Sequence, residues 1–251
     1  MGGAAVLCAG GALRGGAGLV TVATPETVQP IVSTSQPCVL TLALPENAEG
    51  RISATAEPAL MAAVSQATVL AVGPGLGRGL GVTETVTALL TLSSQPVVLD
   101  ADGLNVLGAK PAALRRRAPV VVTPHPGEFA RLLGVQTADV QGDRETKAVE
   151  FAQRFEVVLA LKGHETLVTD GRRLYRNTTG NPGMATGGSG DVLTGLIAAL
   201  IGQGLDAFAA AQLGVHLHGL AGDFARDELG EVSLIATDLL TYLPRAFRAA
   251  R

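Results

Sequence analysis

The chain has 251 residues, 47% of them apolar, with 22 acidic and 19 basic side chains and a formal net charge of -3. That apolar content suffices for one large core, no long basic run offers itself to a nucleic acid, and runs such as Val120–Val122 fall far below the ~18 residues of a membrane span. Cys8 and Cys38 stand far apart without metal-ligand spacing, so buried thiols are expected rather than a disulfide or a zinc pair.

In chain order, Gly2–Arg14 reads as a helix of small residues that begins at once, with no strand ahead of it. Either the start is cut short or the sheet lacks that edge strand. Short β-branched runs bounded by Gly, Pro or Asp follow at Leu19–Ala23, Val39–Leu44, Thr68–Val72, Val97–Leu99, Val120–Val122 and Val157–Leu161, most of them expected as buried parallel strands. Helical segments lie between them, at Val82–Leu92, Gly127–Leu133 and Arg144–Phe155, and Leu167–Thr169 adds a strand. From Asp191 the pattern turns helical, with helices expected over Asp191–Gln203, Ala207–Asp227 and Ala236–Arg248. Strands alternating with helices imply an α/β protein with helices on both faces of its sheet. No linker or repeat marks a boundary, so residues 1–251 are expected to form one domain, and the start shows no basic segment followed by an apolar one, which points to the cytoplasm.

The chemistry concentrates in Asn181-Pro-Gly-Met-Ala-Thr-Gly-Gly-Ser-Gly-Asp-Val-Leu-Thr-Gly195, where small residues open onto an apolar helix. Bared backbone N–H groups and the helix dipole there would hold phosphate oxygens at Gly188, Ser189 and Gly190. Asp191, in the first helical turn, is placed to accept a hydroxyl proton during phosphoryl transfer. A helix cap and a tight turn would use the same residue types. The order GxxxxGK[ST] is absent, so this is no Walker-type loop.

Other motifs sit at strand ends, where open parallel sheets bind ligands. Gly73-Pro-Gly-Leu-Gly77 follows one strand and Thr123-Pro-His-Pro-Gly-Glu128 another, although the first would serve as a plain turn and Glu128 as an offset to the helix dipole. Lys162-Gly-His-Glu-Thr166 joins two strands, and a lysine there suits phosphate as a point charge or stays merely solvated. Asp100 and Asp102 would bind magnesium through water or cap a turn. His216 and His218, two apart on a helix, point to different faces and make no metal pair.

Together these segments, with Gly3-Ala4, Gly16-Ala-Gly-Leu-Val20, Asp100-Ala-Asp-Gly-Leu-Asn105 and His218-Gly-Leu-Ala-Gly-Asp223, resemble the ribokinase-like NAD(P)H-hydrate dehydratases over essentially the whole chain. The resemblance implies a three-layer α/β/α sandwich with a mostly parallel sheet. It also implies a repair reaction in which ADP or ATP, ADP being favoured, phosphorylates the hydroxyl of hydrated NADH or NADPH before phosphate leaves. By the same resemblance Asp191 is the base; Ala4, Gly75, Gly77, His125 and Asp191 contact substrate. Lys162, Gly163, His164, Glu165, Thr166, Gly188, Ser189 and Gly190 meet the nucleotide, Glu128 reaches Mg2+ through water, and the assembly is a homotetramer. Two rivals keep the same cleft: a small-molecule kinase of this superfamily for a vitamin precursor or sugar, and a nucleotide-binding regulator without catalysis.

Overall fold

The computed structural model describes residues 1–108 and 111–250. Strands β1 (Thr21–Pro25) and β2 (Leu40–Leu44) pair in parallel with each other. The central sheet runs in sequence order through β3 (Leu70–Val72), β4 (Val97–Leu99), β5 (Val120–Val122), β6 (Val158–Leu161), β7 (Leu167–Thr169) and β8 (Leu174–Arg176). Its first four strands are parallel, and β7 and β8 are antiparallel additions.

The period of two along a strand sorts the core into two clusters. Leu99, Val120, Val122, Leu159 and Leu161 face the helices Leu80–Leu92, Pro126–Leu133 and Arg144–Phe155, while Val98, Val121, Val158 and Ala160 face Ser189–Gly202, Ala207–Leu229 and Ala236–Ala249. This is the expected α/β architecture with a mostly parallel sheet between two helical layers. Each fully buried valine or leucine among them contributes roughly 1.5–3 kcal/mol, so strands of three residues hold because both faces are covered.

The helix Gly2–Arg14 owes its small residues to a backbone-on-backbone contact. A Cβ at Gly195 would fall 1.8 Å from the Cys8 carbonyl oxygen, and one at Gly11 2.2 Å from that of Val192. Larger side chains would push this helix off Ser189–Gly202.

Three expectations are corrected. The runs at 19–23 and 39–44 do not join the main sheet: β1 and β2 form their own pair, and Leu40 is 56% exposed. The helix Gln29–Ser35 packs on them, with Val32 and Leu44 fully buried, while Thr21 and Leu40 are left exposed, so the pair is covered only in part. Cys8 is buried as expected, whereas Cys38 lies exposed in the turn before β2. The short strand β8 has no counterpart in the sequence reading. Because β3 to β6 are parallel, Gly73, Asp100, Thr123 and Lys162 all emerge at one edge, beside the start of Ser189–Gly202.

Candidate active site

The helix Ser189–Gly202 opens from Gly188, whose φ of 93° lies in the left-handed region that favours glycine. Among the described residues, no group of the chain accepts the amides of Gly187, Gly188, Gly190 or Asp191. They are the free donors that a helix start leaves open, aimed where an anion would bind. Behind them, burial pushes the His218 imidazole down to about 4, so the ring is neutral and its Nε2–H donates to the Ser189 carbonyl at 2.9 Å. Asp223 secures the approach to the loop by accepting from Gly180 N at 2.8 Å and Asn181 Nδ2 at 3.1 Å.

The half-buried carboxylate of Asp191 has no hydrogen-bond partner among the described residues. Burial, and then the negative charge of Asp100, raise its pKa to about 6, with Lys162 opposing and Asp102 and Glu128 adding smaller pushes. Such a group exchanges protons near neutrality, as a general base must.

Lys162, at the end of β6, turns into the cleft. Its Nζ lies 2.6 Å from Asp100 Oδ1 and 4.0 Å from Glu128 Oε2. A Cβ at Gly190 would sit 3.1 Å from that same nitrogen, so the ammonium flanks the helix start. Asp100 is buried, and its second oxygen accepts from Thr194 Oγ1 at 2.9 Å. Ala101 adopts a left-handed φ of 49°, which sends Asp100 and Asp102 to different partners. Asp102 accepts from Gly77 N at 2.8 Å and Asn105 Nδ2 at 3.2 Å, fixing the glycine turn after β3. Neither aspartate caps the helix Ala101–Leu107 through its side chain.

Ala4 lies beside Gly75: a Cβ on Gly75 would be 3.0 Å from that of Ala4. His125 starts the helix Pro126–Leu133 as its N-cap. Nδ1 accepts from Gly127 N at 3.1 Å, which leaves the ring proton on Nε2, 3.5 Å from Glu128 Oε1. Glu128 is buried and completes a capping box by accepting from His125 N at 2.8 Å. The 162–166 turn carries its members unequally. Lys162 points inward and Thr166 Oγ1 closes the turn on Gly163 O at 3.1 Å; the Glu165 carboxylate is held by Arg176 at 2.8 Å and His164 is exposed.

The structure thus brings Asp191, Gly190, Lys162 and Glu128 into one cleft, with Gly77 bound to Asp102 on its rim. Two participants escaped the sequence reading: Thr194, and Asp100 in its role as the anion paired to Lys162. A threonine three residues beyond Asp191 on an apolar helix was the available signal. A cavity of ≈ 430 Å³ lies at the opposite edge of the sheet, near Val157, Asp170 and Phe208. Its Arg173 is already paired with Asp170 and Asp206, and none of the groups just described lines it.

Residues 1–245 match the family model described as NAD(P)H-hydrate dehydratase. The bifunctional NAD(P)H-hydrate repair enzyme of Moorella thermoacetica is 47% identical over 249 residues, covering 98% of this chain and 47% of that protein. The chain therefore spans about half the length of the curated relatives it matches. Among solved structures, the ADP/ATP-dependent NAD(P)H-hydrate dehydratase of Bacillus subtilis, co-crystallised with ATP and Mg2+, superposes with a TM-score of 0.82 at 31% identity, covering 100% of this chain and 86% of that one. A ribokinase-like superfamily protein of Enterococcus faecalis gives a TM-score of 0.82 at 25% identity, covering 98% and 82%.

Proposed function

This chain belongs to the NAD(P)H-hydrate dehydratase family, and from that premise we propose that it restores NADH and NADPH from their hydrates with an adenine nucleotide as phosphoryl donor. One observation carries the reading: the Asp191 carboxylate, without a hydrogen-bond partner among the described residues, stands next to the amide of Gly190, likewise unengaged among them, at the start of an apolar helix. Phosphate oxygens would meet those amides and the positive end of the helix dipole, with Lys162 adding charge from the side.

In the transfer, the ring hydroxyl oxygen bonds to the terminal phosphorus, the bond to the nucleotide breaks, and the hydroxyl proton passes to Asp191. The ring carbon–oxygen bond then breaks with electrons from the ring nitrogen, inorganic phosphate leaves, and loss of a proton from the neighbouring carbon restores the double bond. Phosphorylation is what makes the step feasible, since hydroxide is a poor leaving group and phosphate a good one. Ala4, Gly75, Gly77 and His125 form the substrate side. Gly188–Gly190 and the 162–166 turn form the nucleotide side, His164 and Glu165 serving through their backbone.

Among the described residues no group of three or more His, Cys, Asp or Glu is arranged to cage a metal. The carboxylates present suit magnesium that keeps its waters and travels with the nucleotide, met by Glu128 through water; bound there it would offset charge on the phosphate oxygens. ADP as donor, one domain over residues 1–251, a homotetramer and a cytoplasmic setting belong to the same proposal and rest on the resemblance. No helix among the described residues is long and apolar enough to cross a membrane.

The test incubates the protein with hydrated NADH, magnesium and either ADP or ATP, and follows the return of dihydronicotinamide absorbance. Recovery with a nucleotide and none without it is expected. Failure with both, alongside phosphorylation of another alcohol, would hand the cleft to an ordinary small-molecule kinase.

A further inference from the structure

Arg144 begins the helix Arg144–Phe155 in a place that works against it. A cation at a helix N-terminus opposes the dipole, and burial together with neighbouring Arg176 lowers its pKa. No carboxylate pairs with it among the described residues, and its buried Nε–H has no acceptor there. What the guanidinium does make is a two-point contact with the backbone: Nη1 donates to His164 O at 2.7 Å and Nη2 to Leu161 O at 3.3 Å. Those carbonyls bracket Lys162 and Gly163. A Cβ at Gly163, where φ is 137°, would lie 3.3 Å from Nη2, so the fork sits directly on the turn.

We infer that Arg144 is a positioning residue for Lys162: its planar fork fixes the 161–164 turn and so aims the ammonium at Asp100 and the Gly190 end of the helix. Lysine at this position would keep the charge but lose the second donor direction. The inference rests on the reading of the cleft as a nucleotide site, and it adds a residue that acts through the backbone of the 161–164 turn.

Calorimetric titration of the full chain with ADP and magnesium, without hydrated substrate, tests it. Arg144→Lys should weaken binding roughly tenfold, the loss of one well-placed charge-assisted hydrogen bond. In a background carrying Asp100→Asn and Lys162→Met, which removes the pair whole, the same substitution should change affinity by less than about threefold, because residues acting through one another are not additive. Unchanged affinity in the single variant overturns the inference, as does an equal loss in both backgrounds, which would mark Arg144 as scaffolding. Absence of binding by the unaltered protein to both ADP and ATP overturns both this inference and the proposed function.

Discussion

Lys162 Nζ and Asp100 Oδ1 meet at 2.6 Å across 62 residues of sequence, with the Asp100 side chain 1% exposed and that of Lys162 21%. Half of such a pair is worse than none. Lys162→Met should destabilise the fold by about 3 kcal/mol, because a buried carboxylate loses its counter-charge, and adding Asp100→Asn should recover most of that loss. Urea denaturation of the two variants checks both directions.

Asp191→Asn should abolish nearly all turnover, on the order of 10²–10⁴-fold for the loss of a general base, while nucleotide binding and folding persist. The substitution should also stabilise. Asp191 titrates at about 6 in the fold against a usual 3.8, so the folded state holds its proton more tightly than the unfolded chain and ionisation costs stability. The advantage of the asparagine variant should therefore be smallest below pH 3.8, grow between there and about 6, and stay level above. A gap that shrinks with rising pH would contradict the burial of this carboxylate.

The acid limb of kcat/KM should follow the same group, rising through an apparent pKa of about 6 to a plateau. The limb reports Asp191 as its surroundings set it, raised first by burial and then by the negative charge of Asp100. Lys162 favours the ionised form of Asp191; in residual activity of Lys162→Met the limb should move to higher pH. A pH–rate series on both proteins measures it.

Gly195→Ala should destabilise by about 1–3 kcal/mol or more, the usual range for forcing a methylene into filled space. Its Cβ has no room beside the Cys8 carbonyl. Activity should fall with stability, since the displaced helix carries Asp191. Denaturation midpoints and turnover of the one variant would separate the two effects.

The parallel strands were legible because valine runs bounded by Pro and Asp have little alternative, and the helix carrying Asp191 because glycines open directly onto apolar residues. Strand β8 was not: Leu174–Arg176 is three residues long, and two of them are exposed. The separation of β1 and β2 from the main sheet depends on what covers each face, which no local pattern records. Site residues named by motif, such as Lys162 and Asp191, do reach one cleft. Their partners were invisible for a physical reason: Thr194 bonds Asp100 across 94 residues and Arg144 bonds His164 across 20, and neither spacing has a local period.

The contact between Gly2–Arg14 and Ser189–Gly202 ties the first helix to the cleft. Where Gly11 and Gly195 bring main chain onto main chain there is no side chain to yield, so a displacement of one helix is passed to the other and to the carboxylate of Asp191 that it carries. The facing wall is tied differently, by side chains: the 162–166 turn is held by the Arg144 fork, by Arg176 through Glu165 and by Lys162 on Asp100.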